Sequence, residues 1–127
     1  MNSSIVECLR SAGRLDRMFV DGEWVLPHGQ ARTSVIDPST EEPVTEIALG
    51  NAQDVATAVA AARRAFAAWS VSSAQSRAVL LDRVHTLILE RAELFAQAIS
   101  LEMGAAIGFA RSTQVPVAAE HIRVARD

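Results

Sequence analysis

A chain of 127 residues has room for one modest domain and none for a second. With half its residues hydrophobic and 21% charged, it can form a core, although much of the apolar half is alanine, which favours helix and buries little area. A net charge of −3 argues against nucleic acid or an anionic membrane as partner, and one cysteine, Cys8, cannot close an internal disulfide, which points to a reducing cytoplasm.

No apolar run approaches the roughly eighteen residues of a membrane span. Residues 1–17 carry Arg10, Arg14 and Arg17 but no apolar block of signal-peptide length, so they read as a short arm, helical where Ile5, Val6, Leu9 and Leu15 allow. Cys8 lies in this arm and reads as an incidental thiol, with a redox-sensitive arm as the weaker alternative. Asp21-Gly22 between β-formers is the pair that a type I′ hairpin turn requires. Phe19 and Trp24 are expected to give that ribbon a buried face. After Pro27-His28-Gly29 a second extended pair follows, Thr33–Ile36 and Val44–Leu49, joined by a turn over Asp37–Pro43 in which proline presets φ and Asp37 bonds back to the backbone. The β region runs over 18–49.

Near Asn51 the apolar period changes from two to 3.6. Asn51 reads as an N-cap with Asp54 in the first turn, opening a helix over about 52–69 whose face carries Val55, Val59, Ala62, Phe66 and Trp69. The stretch Ser72–Gly104 predicts one long helix, about 73–103. Asp82, Thr86, Glu90, Glu93, Gln97 and Ser100 draw its polar stripe. The opposite apolar arc covers roughly half the circumference, wider than one partner helix needs. Ser72 with Gln75 is the expected capping box, and Gly104 the left-handed stop. A third helix is expected over about 113–127, with Ser112 or Thr113 near its cap and Pro116 in its first turn. Because it reaches Asp127 without a capping glycine or polar tail, the chain reads as cut.

These pieces, in this order, resemble the N-terminal segment of the aldehyde dehydrogenase superfamily. They are FVDGEW (Phe19–Trp24), VIDPSTEEPV (Val35–Val44), VATAVAAARRAFAAW (Val55–Trp69), SRAVLLDRVHTLILERAELFAQAISLEMG (Ser76–Gly104) and QVPVAAEHIRVA (Gln114–Ala125). One departure is marked: where the family's turn carries glycine, this chain has Glu41, penalised by roughly 1 kcal/mol if the position keeps a positive φ. The resemblance implies an α+β arrangement: a β-hairpin region followed by three helices, one long, with residues 18–127 forming part of an aldehyde dehydrogenase-like cofactor-binding domain. It implies oxidation of aldehydes to acids with NAD or NADP by a longer enzyme. Its cysteine nucleophile, glutamate base and oxyanion asparagine all belong to later regions of the family's chain. Cys8 precedes the similarity and does not match the nucleophile's motif. Gly104 and Gly108 form no phosphate-binding turn. The expectation is therefore no catalytic residue, no cofactor-binding residue and no cofactor held by this chain alone.

Other candidates are few. His28, His85 and His121 are scattered without zinc spacing. The resemblance implies a monovalent-cation site at Val35, Ile36 and Glu102, incomplete here because another ligand comes from sequence this chain lacks. Trp24 and Trp69 read as core or interface anchors. Arg91 falls inside the apolar arc of the long helix. Either its stem packs with the guanidinium at a rim, or it pairs with a carboxylate from another element. The second is expected, since an unpaired buried guanidinium is too costly. Two functions compete: an N-terminal, non-catalytic piece of an aldehyde dehydrogenase-like oxidoreductase, partnered by the remainder of that fold, or a stand-alone helical oligomerisation module.

Overall fold

The computed structural model describes residues 4–127. In chain order these form α1 (Ser4–Ser11), β1 (Met18–Val20), β2 (Glu23–Val25), β3 (Arg32–Asp37), β4 (Glu42–Ala48), α2 (Ala52–Trp69), α3 (Ala74–Glu90), α4 (Ala92–Met103), a short α5 (Ile107–Phe109), a π-helical turn (Ala110–Gln114) and α6 (Val115–Arg126). The class is α+β, with two separate two-stranded antiparallel hairpins. Two compact units emerge. One holds the chain up to Ile36 and again over Glu41–Val71; the other holds Asp37–Thr40 and Ser72–Asp127.

In the first unit, Asp21 and Gly22 both take positive φ, 55° and 84°, as a type I′ turn demands. The register pairs Met18 with Val25, Phe19 with Trp24 and Val20 with Glu23. Phe19 and Trp24 meet across the strands with ring centroids 5.4 Å apart, but they do not form a buried face: they remain 61% and 39% exposed. Arg14 lies over the Trp24 ring, 4.7 Å from its centroid, and Arg17 donates to the Trp24 carbonyl at 3.0 Å. Arg14 and Arg17 thus cover part of this two-stranded ribbon, and β1 also packs against α2.

Asn51 caps α2 in a full capping box. Its side chain accepts from the Gln53 and Asp54 amides, while the Asp54 carboxylate accepts from the Asn51 amide. The face of α2 that packs inward carries Asp54 and Ala61, with Ala58 half-buried. Val55, Val59, Phe66 and Trp69 all stay exposed.

In the turn after β3, Glu41 holds φ 59°. The left-handed geometry has been kept with a residue that carries a Cβ. Glu41→Gly should therefore raise stability by about 1 kcal/mol, read as a higher urea midpoint at unchanged slope.

The second unit corrects the single long helix. Arg91, at φ −110° and ψ 17°, ends α3 and opens α4, and its amide bonds to Ile88 and Leu89 carbonyls. The start differs as well: Ser73, not Ser72, is the N-cap, accepting from Ser76. The break lets α4 carry Ala96 into a small-residue cluster with Ala110 and Val115, flanked by Ile88, Ala92, Ile99 and Ile107, while α3 packs along α6. Gly104 ends α4 at φ 73°, where a Cβ would come within 2.9 Å of the Pro38 ring. The last helix has no hydroxyl cap. The backbone is already helical from Ile107, so Ser112 and Thr113 lie inside the π turn, and Pro116 takes the first turn as expected. The buried apolar set is Val6, Ala61, Ala96, Ala110, Val115 and Ala119, and among the described residues no large side chain is fully enclosed.

Candidate functional site

A buried polar cluster is centred on Asp54, 5% exposed. One carboxylate oxygen accepts from the His28 amide at 2.8 Å and lies 2.8 Å from His28 Nδ1; the other accepts from the amides of Gly29 at 3.1 Å and Asn51 at 2.8 Å. Since a carboxylate only accepts, the neutral His28 tautomer at this contact carries its proton on Nδ1. The His28 and Asn51 amides, ahead of the cost of desolvation, hold the Asp54 carboxyl far below the usual carboxylate range. A carboxylate so held neither takes up nor releases protons near neutrality. It is a joint that fixes the Pro27–Gly29 loop to the start of α2. Asn51 and Asp54 stand out in the sequence as a cap, but nothing in local spacing links them to His28.

On the second unit, Glu93 accepts two bonds from Arg111, at 2.8 and 2.7 Å, and one from Gln97 at 2.9 Å. These, Arg111 first, bring its carboxyl down to about 2. Arg126 reaches Asp82 at 2.8 Å. Part of the polar stripe on α3 and α4 thus fastens the π turn and α6, which helical spacing alone does not reveal. Glu120 is also held below its ordinary value, by its hydrogen bonds from Arg123 first.

The remaining sequence candidates fall as follows. Arg91 is exposed and makes no ion pair among the described residues; the expected carboxylate partner is replaced by a backbone role at the helix break, which turns it out of the apolar arc. Trp24 anchors the Phe19 and Arg14 contacts, and Trp69 is a half-exposed residue at the end of α2. Val35 is half-buried and Ile36 is 43% exposed on β3. Glu102 lies on α4, where with Phe95, Ala98, Ile99 and Met103 it lines an open, largely apolar groove of about 530 Å³. Among the described residues no group of three or more His, Cys, Asp or Glu side chains has metal-holding geometry. Cys8 is exposed on α1. No described helix is long and apolar enough to cross a membrane. Gly108 belongs to α5, with helix before it and after it, a setting foreign to a phosphate-binding turn.

Two hairpins, a capped helix and a helical layer fastened by ion pairs make up this α+β chain. The aldehyde dehydrogenase family model matches residues 24–127, and the chain belongs to that family. It is 40% identical over 108 residues to a 3-succinoylsemialdehyde-pyridine dehydrogenase from a Pseudomonas species, covering 84% of this chain and 23% of the relative. A hydroxyisobutyraldehyde dehydrogenase from Mycolicibacterium austroafricanum is 38% identical over 112 residues, 87% of this chain and 22% of its own. Among solved structures, a mutant of aldehyde dehydrogenase C from Pseudomonas syringae, complexed with NAD+ and octanal, matches with a TM-score of 0.87 at 55% identity, over 89% of this chain and 23% of that one. The chain spans less than a quarter of the length of the curated relatives it matches.

Proposed function

We infer that this chain is the N-terminal part of an NAD(P)-dependent, aldehyde-oxidising oxidoreductase, a cytoplasmic scaffold for the cofactor domain without catalysis of its own. The observation that carries this is the pairing of near-complete coverage of this chain with coverage of only 23% of its structural relative. The uncovered apolar side chains on both units support it, because a segment of a larger fold keeps faces for its missing neighbours. The family's cofactor chemistry, transfer of hydride from the aldehyde carbon to a nicotinamide, needs groups that this chain does not supply. Cys8, ahead of the matched residues, does not fit the nucleophile. The implied cation site at Val35, Ile36 and Glu102 remains incomplete on the same reading. A stand-alone interaction module is the second reading, favoured by the same exposed faces.

The test is an aldehyde-dependent assay of the purified chain with NAD+ and with NADP+, octanal included. No turnover is expected. Turnover that disappears with Cys8→Ala would defeat the inference.

A further inference from the structure

We propose that Asp21-Gly22, at the tip of the β1–β2 hairpin, is a modification site, where Asp21 converts to isoaspartate through a cyclic succinimide and Arg64 slows the conversion. It is the one Asp-Gly or Asn-Gly pair in the chain. In the first step the Gly22 amide nitrogen, having lost its proton to solvent, attacks Asp21 Cγ. A C–N bond forms, a C–O bond of the carboxyl group breaks, and the oxygen leaves as water. Water then adds to one of the two ring carbonyls. Opening on the Cγ side restores aspartate. Opening at the main-chain carbonyl leaves the backbone running through the former side chain, one methylene longer. Atoms and electrons balance over the two steps, with no oxidant and no cofactor.

Access to the attacking nitrogen comes first. Both residues are exposed, and a Cβ built at Gly22 meets nothing within 4 Å, so neither a β-carbon nor a neighbouring element shields the amide. The turn joins two strands of three residues each. A hairpin that short is marginal by itself, so its tip opens locally at small cost and reaches the geometry of ring closure. Against this stands α2, from which Arg64 Nη2 donates to the Asp21 carboxylate at 2.7 Å. To cyclise, Cγ must swing toward Gly22 and expel an oxygen, which breaks that contact. An ion pair between two exposed side chains slows the step modestly, by roughly threefold. The product differs from the parent in shape. The added methylene takes the turn out of its type I′ form, upsets the pairing of Phe19 with Trp24, and moves the carboxylate from its place beside Arg64. The proposal goes beyond the reading of the chain as part of an oxidoreductase and depends on no activity.

Ageing the full chain at neutral pH and body temperature over weeks tests it. Isoaspartate is read by labelling with an L-isoaspartyl O-methyltransferase and radiolabelled S-adenosylmethionine, then by mapping tryptic peptides. The label is expected in peptide 18–32, which Arg17 and Arg32 delimit and which contains Asp21. Asp21→Glu should abolish it there, since the longer side chain would have to close a six-membered ring. Arg64→Gln should raise the rate by roughly threefold, the scale of an exposed ion pair. Arg63→Gln removes the same charge from the neighbouring position on α2 and should leave the rate unchanged. The parent in urea, with turn and ion pair both undone, should isomerise faster than any folded variant. Far-UV circular dichroism matching the parent shows that the variants still fold. No label in peptide 18–32 of the folded chain while it forms in urea would overturn the site. An Arg64→Gln rate equal to or below the parent's, or an equal rise in Arg63→Gln, would overturn the role of Arg64.

Discussion

Gly29→Ala is expected to be the most damaging single methyl group in this chain. A Cβ at Gly29 would stand 2.3 Å from the Leu49 carbonyl oxygen, 3.0 Å from the Gly50 carbonyl carbon and 3.1 Å from the Asn51 nitrogen. All three are backbone atoms, so no side chain can swing aside. The chain must open either the Pro27–Gly29 loop or the segment that feeds α2. Opening the first pulls the Gly29 amide from Asp54; opening the second strains the Leu49 bond to Ala31 at 2.9 Å and the Asn51 cap. The expected loss is about 3 kcal/mol, a large share of the roughly 5–15 kcal/mol that folded domains possess. Urea unfolding of Gly29→Ala beside Gly108→Ala measures it. At Gly108 an added Cβ meets nothing within 4 Å, so that variant should unfold near the parent midpoint.

Asp54→Ala attacks the same joint from the other side. It strands the amides of His28, Gly29 and Asn51, all of which now donate to one carboxylate. A buried donor left without a partner costs far more than the net value of the bond it made, so the melting temperature should fall by on the order of 10 °C. Asp54→Asn should fall less, because an amide oxygen still accepts on one side. The pH dependence has a definite sign. The Asp54 carboxyl is depressed in the folded chain, so its contribution is complete above its ordinary value of 3.8 and disappears as pH falls toward the folded value. Acid titration of the parent should show a loss of stability from about pH 4 downward, with a shallower slope in Asp54→Ala. Equal slopes, or an alanine variant as stable as the parent, would show that the carboxylate is idle.

Local chemistry was the legible part of this sequence. The positive-φ demand of Asp21-Gly22, the Asn51 cap with Asp54, and the left-handed stop at Gly104 each follow from a few neighbouring residues, and each is present. What sequence alone misjudged depends on distant partners. Helical periodicity runs on across Arg91 because the apolar spacing stays in phase, yet the chain breaks there and carries Ala96 into its cluster with Ala110 and Val115. Arg91 consequently leaves the apolar arc, and its expected ion partner with it. Phe19 and Trp24 were expected inside because large aromatics usually are; in a two-stranded ribbon they find each other and Arg14, and stay partly in solvent. The Asp54 joint required His28, twenty-six residues away, which no motif links to it. The solvent-facing stripe on α2 reads like a core face, and periodicity cannot say whether a neighbour is present to cover it.

The proposed role assigns no reaction to this chain by itself. Spectrophotometric assay of NADH or NADPH formation, with purified chain at tens of micromolar and a panel of aliphatic and aromatic aldehydes, tests that most directly. The predicted result is a rate equal to the buffer blank for the parent and for Cys8→Ala alike. Aldehyde-dependent reduction of either cofactor that scales with the amount of chain and is abolished by Cys8→Ala would contradict it.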